Sequence, residues 1–310
     1  MLPIIWEFAN SCRKFIQLSD EKILLDKNNK NTPLFALQFR RTRDNLPQKS
    51  FNHEIITREA SVPTYIIPKP PPRKRDEVRH PAKFPEPLIE ELIKTFTNEN
   101  GWVLDIMAGT VSSLVAAYRS KRNSVGIELG SDFHKIAKNR LTKINPPTRL
   151  FGFTPPYVTE LVRGDARNAS TLLSKYPAKF SYCVTSPPYW NMLHNSGSEG
   201  QRARRNKNLK LVYSESDDDV GNIHQYDRFL QTLREIYEGI LPLLTEKGKL
   251  TIITKNVKQE GTLYTLAWDL VDELAGKNGK YDFLGYTLWC QDDTPLKPFA
   301  RRPTFVPLHC

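Results

Sequence analysis

The strongest constraint on this chain is an alternation of short apolar runs with segments of helical periodicity. Trp-Val-Leu-Asp-Ile at 102–106 is followed by a small-residue turn, Ala108-Gly109-Thr110, and a helical segment at 112–120. Ser-Val-Gly-Ile at 124–127 reads as a second buried strand ending in Glu128, with its helix at 132–144. The pattern continues with strands at 158–162, 180–185 and 249–254, helices at 168–175 and 263–274, and a last strand region at 281–290. Between 226 and 244 lies the longest amphipathic helix, marked by Tyr226, Phe229, Leu230, Leu233, Tyr237, Ile240, Leu241 and Leu244. Ahead of the first strand, Leu88, Ile89, Leu92, Ile93 and Phe96 recur at helical spacing. Strands that alternate with helices pair in parallel, because a crossover must carry the chain back before the next strand starts. The expected fold is therefore α/β: a mostly parallel, twisted sheet with helices on both faces.

The flanks differ. Residues 1–79 are polar and turn-rich and end in a proline-rich basic stretch at 67–79, which favours extended chain over helix. This predicts a polar arm and linker at 1–79 followed by a domain at 80–310. Inside that domain, 195–222 reads as an irregular insertion, with Arg202, Arg204, Arg205, Lys207 and Lys210 ahead of an acidic patch at Glu215, Asp217, Asp218 and Asp219. In the whole chain 45 Lys and Arg face 34 Asp and Glu, a net charge of +11, and such a surface attracts polyanions, above all nucleic acid. The four cysteines, Cys12, Cys183, Cys290 and Cys310, lie far apart and without histidines at ligand spacing, so no metal site or disulfide framework is expected. No apolar run reaches the about 18 residues of a membrane span, and the N-terminus lacks signal-peptide order, which predicts a cytoplasmic protein with no membrane partner.

Two patterns carry chemistry. Asp105-Ile-Met-Ala-Gly109 places an acid and a glycine turn at a strand end, and Glu128, at the end of the next strand, can accept hydrogen bonds from two vicinal ribose hydroxyls. Asp165, in Arg-Gly-Asp-Ala at 163–166, stands where a side chain can accept from an adenine amino group, although a plain surface turn fits equally. The second pattern is Thr-Ser-Pro-Pro-Tyr-Trp at 185–190. Two prolines cannot continue a central strand, since neither has an N–H to donate, and they fix a rigid turn instead. Such a turn suits methylation of an exocyclic amino group, whose lone pair is delocalised into its ring until its hydrogens meet well-placed acceptors. The Ser186 side chain and the Pro187 carbonyl are candidate acceptors, and Tyr189 can stack on a base swung out of the duplex. Cys183, inside the apolar strand, reads as core.

At these residues the sequence resembles the amino-group DNA methyltransferases, and the serine before Pro-Pro-Tyr with the tryptophan after it looks most like their N4-cytosine branch. The resemblance runs over about 78–300 and includes His80-Pro-Ala-Lys-Phe-Pro85, the 104–109 turn, Gly126-Ile-Glu128, Gly164-Asp165, 185–190 and Gly221 to Asp227. It implies a Rossmann-like methyltransferase fold and S-adenosylmethionine as methyl donor, with no metal. Direct transfer to cytosine N4 in double-stranded DNA follows, without a covalent enzyme–base adduct, within a restriction–modification system with a cognate endonuclease. It assigns the catalytic turn to Ser186, Pro187, Pro188 and Tyr189, and donor binding to His80, Asp105, Met107, Gly109, Glu128 and Asp165. Two departures stand out. Val111 replaces a glycine of the family's turn, which would cost on the order of 1–2 kcal/mol if the position needs positive φ, or about tenfold in donor affinity. The sequence at 301–310 also stops where similar enzymes continue through a last strand, so that strand is expected to be missing. N6-adenine or RNA amino-group methylation, and a catalytically silent DNA-binding relative, are the alternatives these residues leave open.

Overall fold

The computed structural model describes residues 16–25, 33–41, 65–66, 85–144, 156–188, 190, 219–259, 262–289 and 306–309. They divide between two compact units, one formed by 70–253 with 308–310 and the other by 1–69 with 254–307. The sequence suggested one boundary near residue 79; the units divide at 69 and again at 253.

The first unit holds the sheet. Its strands are β1 (Trp102–Asp105), β2 (Asn123–Glu128), β3 (Thr159–Arg163), β4 (Phe180–Thr185) and β5 (Leu244–Thr254). All four pairings among them are parallel, in the order β3-β2-β1-β4-β5. This is the doubly wound, Rossmann-like arrangement expected, and the strand order reverses between β1 and β4. Right-handed crossovers then put the helices of the two halves on opposite faces. Helix α1 (Glu86–Phe96) packs against α2 (Ser112–Arg119), whereas α4 (Tyr226–Gly239) packs against the turns of helix at 166–172. The remaining helix, α3 (Ser131–Ile144), joins β2 to β3.

Local chemistry explains the boundaries. The five apolar residues of α1 are all buried, Pro85 caps its N-terminus, and Glu86 in the first turn meets both the helix dipole and the guanidinium groups of Arg119 and Arg140. The helix stops at Thr97, whose hydroxyl turns back onto the Ile93 carbonyl at 2.6 Å. Arg122 is buried there, and it donates to the Thr97 hydroxyl at 3.0 Å and to the Thr97 carbonyl at 2.6 Å. Helix α4 ends earlier than its periodicity suggested, since Leu241–Leu243 around Pro242 forms a 3-10 turn and Leu244 already belongs to β5.

One expectation about the sheet is corrected. Val306–His309 forms a strand beside β5, so the edge expected to be left without its last strand is covered.

In the second unit, Ile16–Leu25 pairs antiparallel with Pro33–Arg41, which the reading of 1–79 as an arm did not anticipate. Val257–Gln259 pairs antiparallel with Thr262–Tyr264, and Leu288–Trp289 runs parallel to Tyr65–Ile66. A helix, Leu266–Ala275, buries Leu266, Ala267, Trp268, Leu270, Val271 and Leu274. Among the described residues no helix is long and apolar enough to cross a membrane.

Candidate active site

A cavity opens at the carboxyl ends of β1, β2 and β4, where a reversal of strand order leaves a crevice. Its walls are the 105–110 turn, Glu128 to Gly130, Gly164 to Ala166, Val184 to Pro188, and Asp219 with Val220; Ile89 and Phe133 supply apolar surface. Of the residues predicted from sequence, Asp105, Met107, Gly109, Glu128, Asp165, Ser186, Pro187 and Pro188 all line it. His80 and Tyr189 lie outside the described residues, as do the basic stretches at 69–79 and 202–210.

The 105–110 turn is held from both strands. Asp105 accepts from the Met107 N–H at 3.1 Å and from the Ser113 hydroxyl, so one carboxylate fixes the turn and the first turn of α2 together. The Ala108 N–H donates to the Ile127 carbonyl at 2.9 Å. Gly109 has φ of 51°, a conformation that favours glycine, and its N–H donates to Glu128 Oε2 at 2.8 Å. The Gly130 N–H takes the other oxygen, Oε1, also at 2.8 Å. Gly126 lets the turn lie this close: a Cβ there would stand 3.0 Å from Ala108 Cβ and from a Leu114 methyl.

Burial dominates the electrostatics. Asp105 is pushed up to about 6, with the Ser113 and Met107 hydrogen bonds opposing, and Glu128 is pushed up to about 7 by burial, with Gly130 and Gly109 opposing and Asp105 and Asp219 adding repulsion. Among the described lining residues there are four acids and no Lys, Arg or His. Asp165 accepts from the Arg167 N–H at 2.9 Å and from its guanidinium, which hold the carboxylate at the cavity wall. Such a cavity favours a ligand that carries positive charge and hydroxyl donors. S-adenosylmethionine has both, in its sulfonium, its ammonium and its ribose.

The acceptor turn follows β4 directly. Ser186 Oγ is buried and has no hydrogen-bond partner, an arrangement that costs about 1–3 kcal/mol unless a ligand supplies the missing group. Cys183 is fully buried, and burial raises its thiol well above the usual range, which leaves no reactive thiolate. It belongs to the core, as the sequence suggested.

Val111 corrects an expectation. Its φ of 61° is the positive value the sequence reading feared, yet its side chain is fully buried among Ala108, Leu114, Val115, Ala137 and Leu141 and does not line the cavity. The isopropyl group faces the core and offsets the backbone strain; it does not narrow the donor site.

Asp219 was missed. The sequence placed it in an acidic surface patch, but it is 6% exposed, lines the cavity and accepts from the Gly221 N–H at 2.9 Å. Its neighbours Asp217 and Asp218 are of the same type, so nothing local distinguished it. Phe133 was likewise read only as part of a helix.

Comparison with known proteins finds similarity over parts of the chain. Residues 4–139 match the family model described as DNA methylase, a stretch that includes the Asp105–Gly109 turn and Glu128 and ends before Ser186. A type II methyltransferase of Lactococcus lactis subsp. cremoris, M2.LlaDCHI, is 38% identical over 65 residues, covering 21% of this chain and 24% of that protein. M.ScaI of Streptomyces caespitosus, also a type II methyltransferase, is 38% identical over 66 residues, covering 21% and 22%. The DNA adenine methyltransferase YhdJ of Escherichia coli (strain K12) is 36% identical over 62 residues, covering 20% and 21%. The chain thus matches less than a third of the length of these relatives. The matches support the amino-methyltransferase family without distinguishing its branches.

Proposed function

We propose that this protein transfers a methyl group from S-adenosylmethionine to an exocyclic amino group of DNA, with cytosine N4 as the acceptor. The observation that carries this reading is the placement of Ser186, Pro187 and Pro188 in the same cavity as Asp105, Gly109 and Glu128. The donor supplies an electrophilic methyl at a sulfonium centre. Glu128, oriented by the Gly109 and Gly130 N–H groups, keeps lone pairs for the ribose hydroxyls. Asp105 and Asp219 contribute negative charge, Met107 and Phe133 apolar surface, and His80 and Asp165 the contacts that the family resemblance implies.

At the other wall, Ser186 Oγ and the Pro187 carbonyl accept the hydrogens of the target amino group. That withdraws its lone pair from the ring and leaves it directed at the methyl carbon. Tyr189 stacks on the displaced base. Lys69, Arg73, Lys74, Arg75 and Arg79, with Arg202, Arg204, Arg205, Lys207 and Lys210, supply phosphate contacts that give affinity without sequence choice. A restriction–modification setting with a cognate endonuclease fits the type II relatives.

The reading of a silent DNA-binding relative rested on Val111 and on a missing strand; against it stand the strand at Val306–His309 and a Val111 side chain that lies in the core and not in the cavity. Adenine N6 is the second reading, favoured by the similarity to a DNA adenine methyltransferase. Incubation with labelled S-adenosylmethionine and mixed-sequence DNA, followed by nucleoside analysis, separates them. N4-methylcytosine is expected; N6-methyladenine alone would overturn the base assignment, and no methylated nucleoside would overturn the function.

A further inference from the structure

The acceptor turn poses a mechanical problem. Pro187 and Pro188 have no N–H to donate to the sheet, and Ser186 Oγ has no partner among the described residues. The prolines fix φ within the turn, and its placement against the sheet is supported by one segment that meets it among the described residues. Trp190 Nε1 donates to the His224 carbonyl at 3.1 Å, and the Trp190 ring meets the Tyr226 ring edge-on at 4.9 Å. Two residues earlier, Pro188 packs onto Gly221: a Cβ at Gly221 would stand 3.1 Å from Pro188 Cβ and 3.2 Å from Asp219 Oδ1. Gly221 has no left-handed φ, so a side chain there would be tight in space and not strained in conformation. The segment is itself stiff. Asp219 caps it through the Gly221 N–H, the Asn222 N–H closes on the Asp219 carbonyl at 2.9 Å, and α4 starts at Tyr226.

We propose that Gly221 and Trp190 are positioning residues, through which the 219–226 segment clamps the Ser186–Pro188 turn in the geometry needed to accept the target amino group. The inference deepens the proposed function and rests on it for its kinetic arm. The clamp reaches the acceptor turn through Pro188, while Asp219, which also lies against Gly221, faces the donor, so donor Kd is measured beside kcat. A displacement of a few tenths of an ångström in such a turn is felt, since a 1 Å misplacement costs about a hundredfold in rate.

The test uses the whole chain with Gly221→Ala, Trp190→Phe and Pro188→Gly, singly and with the first combined with the last. Gly221→Ala is expected to lower kcat about tenfold and Trp190→Phe severalfold, both with donor Kd from calorimetry within twofold of the parent. In the Pro188→Gly background, adding Gly221→Ala should cost less than twofold, because the Cβ it strains is gone. An unchanged tenfold loss in that background would overturn the clamp, as would parental kcat in both single variants. Amide exchange of the 184–192 peptide decides the matter independently of methylation: faster exchange confined to that peptide in Gly221→Ala and Trp190→Phe supports the clamp, and exchange equal to the parent overturns it. If the parent methylates no DNA, the proposed function fails while the exchange result still stands.

Discussion

The two walls of the cavity are built on opposite principles. The donor wall secures itself: Asp105 and Glu128 each accept hydrogen bonds from the turn they face, so the carboxylates that would meet the ligand also hold the loop. The acceptor wall has two prolines without donors and a buried hydroxyl without a partner, and is braced from Gly221, His224 and Tyr226. The difference teaches which losses separate binding from transfer. On the proposed function, damage to the donor wall should reach both affinity and stability, and damage to the acceptor wall the rate.

The sharpest break of that contrast is Ser186→Ala. Losing one acceptor of a preorganised site costs about a hundredfold or more in kcat, and thermal stability should not fall, because the buried orphan hydroxyl is removed. Donor affinity by calorimetry should match the parent; a parallel loss of donor affinity would show that the two walls are not separable. Next comes Glu128→Ala, expected to weaken donor binding by about 10–100-fold, since a charged hydrogen-bonding group is worth about 1.5–3 kcal/mol. It should also lower the melting temperature by several degrees, because the Gly109 and Gly130 N–H groups lose their acceptor.

The raised carboxylates give a third, smaller effect. A carboxyl whose folded pKa lies above its unfolded value favours the folded state most below the unfolded pKa, and that contribution is lost as pH rises through the folded value. For Glu128 at about 7 and Asp105 at about 6, the window is roughly pH 4 to 7. Thermal melts of the free protein should therefore show a fall in stability across that window that is shallower in Glu128→Gln. A cationic donor favours the ionised forms, so its affinity should rise over the same range. An equal pH slope in parent and variant would remove Glu128 from this role.

The smallest effect concerns Val111→Gly. Relief of left-handed strain, about 1–2 kcal/mol, is opposed by loss of a buried isopropyl group, roughly 1.5–3 kcal/mol, and by the added freedom of the unfolded chain, about 0.4–1 kcal/mol. Denaturant melts should show a net loss of about 1–2 kcal/mol. Donor affinity should stay within twofold; tighter binding would restore Val111 as an obstacle to the donor.

These residues also show how far the sequence reaches. Helix α1 was legible residue by residue because its five apolar positions form one stripe and Pro85 marks its start. The strand–turn–helix at 102–119 and Glu128 were legible for the same local reason, a buried run ending in an acid and a small-residue turn. Val111 was not, since whether its side chain faces the ligand or the core is decided by α3, which supplies Ala137 and Leu141. Asp219 was hidden by like neighbours, and its burial arises only where the chain returns beside Pro188. β5 starts at Leu244, ahead of the strand that the apolar run at 249–254 predicted. Local patterns reveal elements; which way a side chain faces belongs to packing between distant segments.

The central claim is that the donor wall and the acceptor turn form one site at which transfer is direct. The protein is loaded with methyl-labelled S-adenosylmethionine, freed of excess label, and mixed with DNA and a large excess of unlabelled donor. The account predicts that label bound at mixing appears in DNA within a single turnover, with none covalently retained on the protein after denaturation. Label left attached to the protein, or lost entirely to the chase with none in DNA, would contradict it.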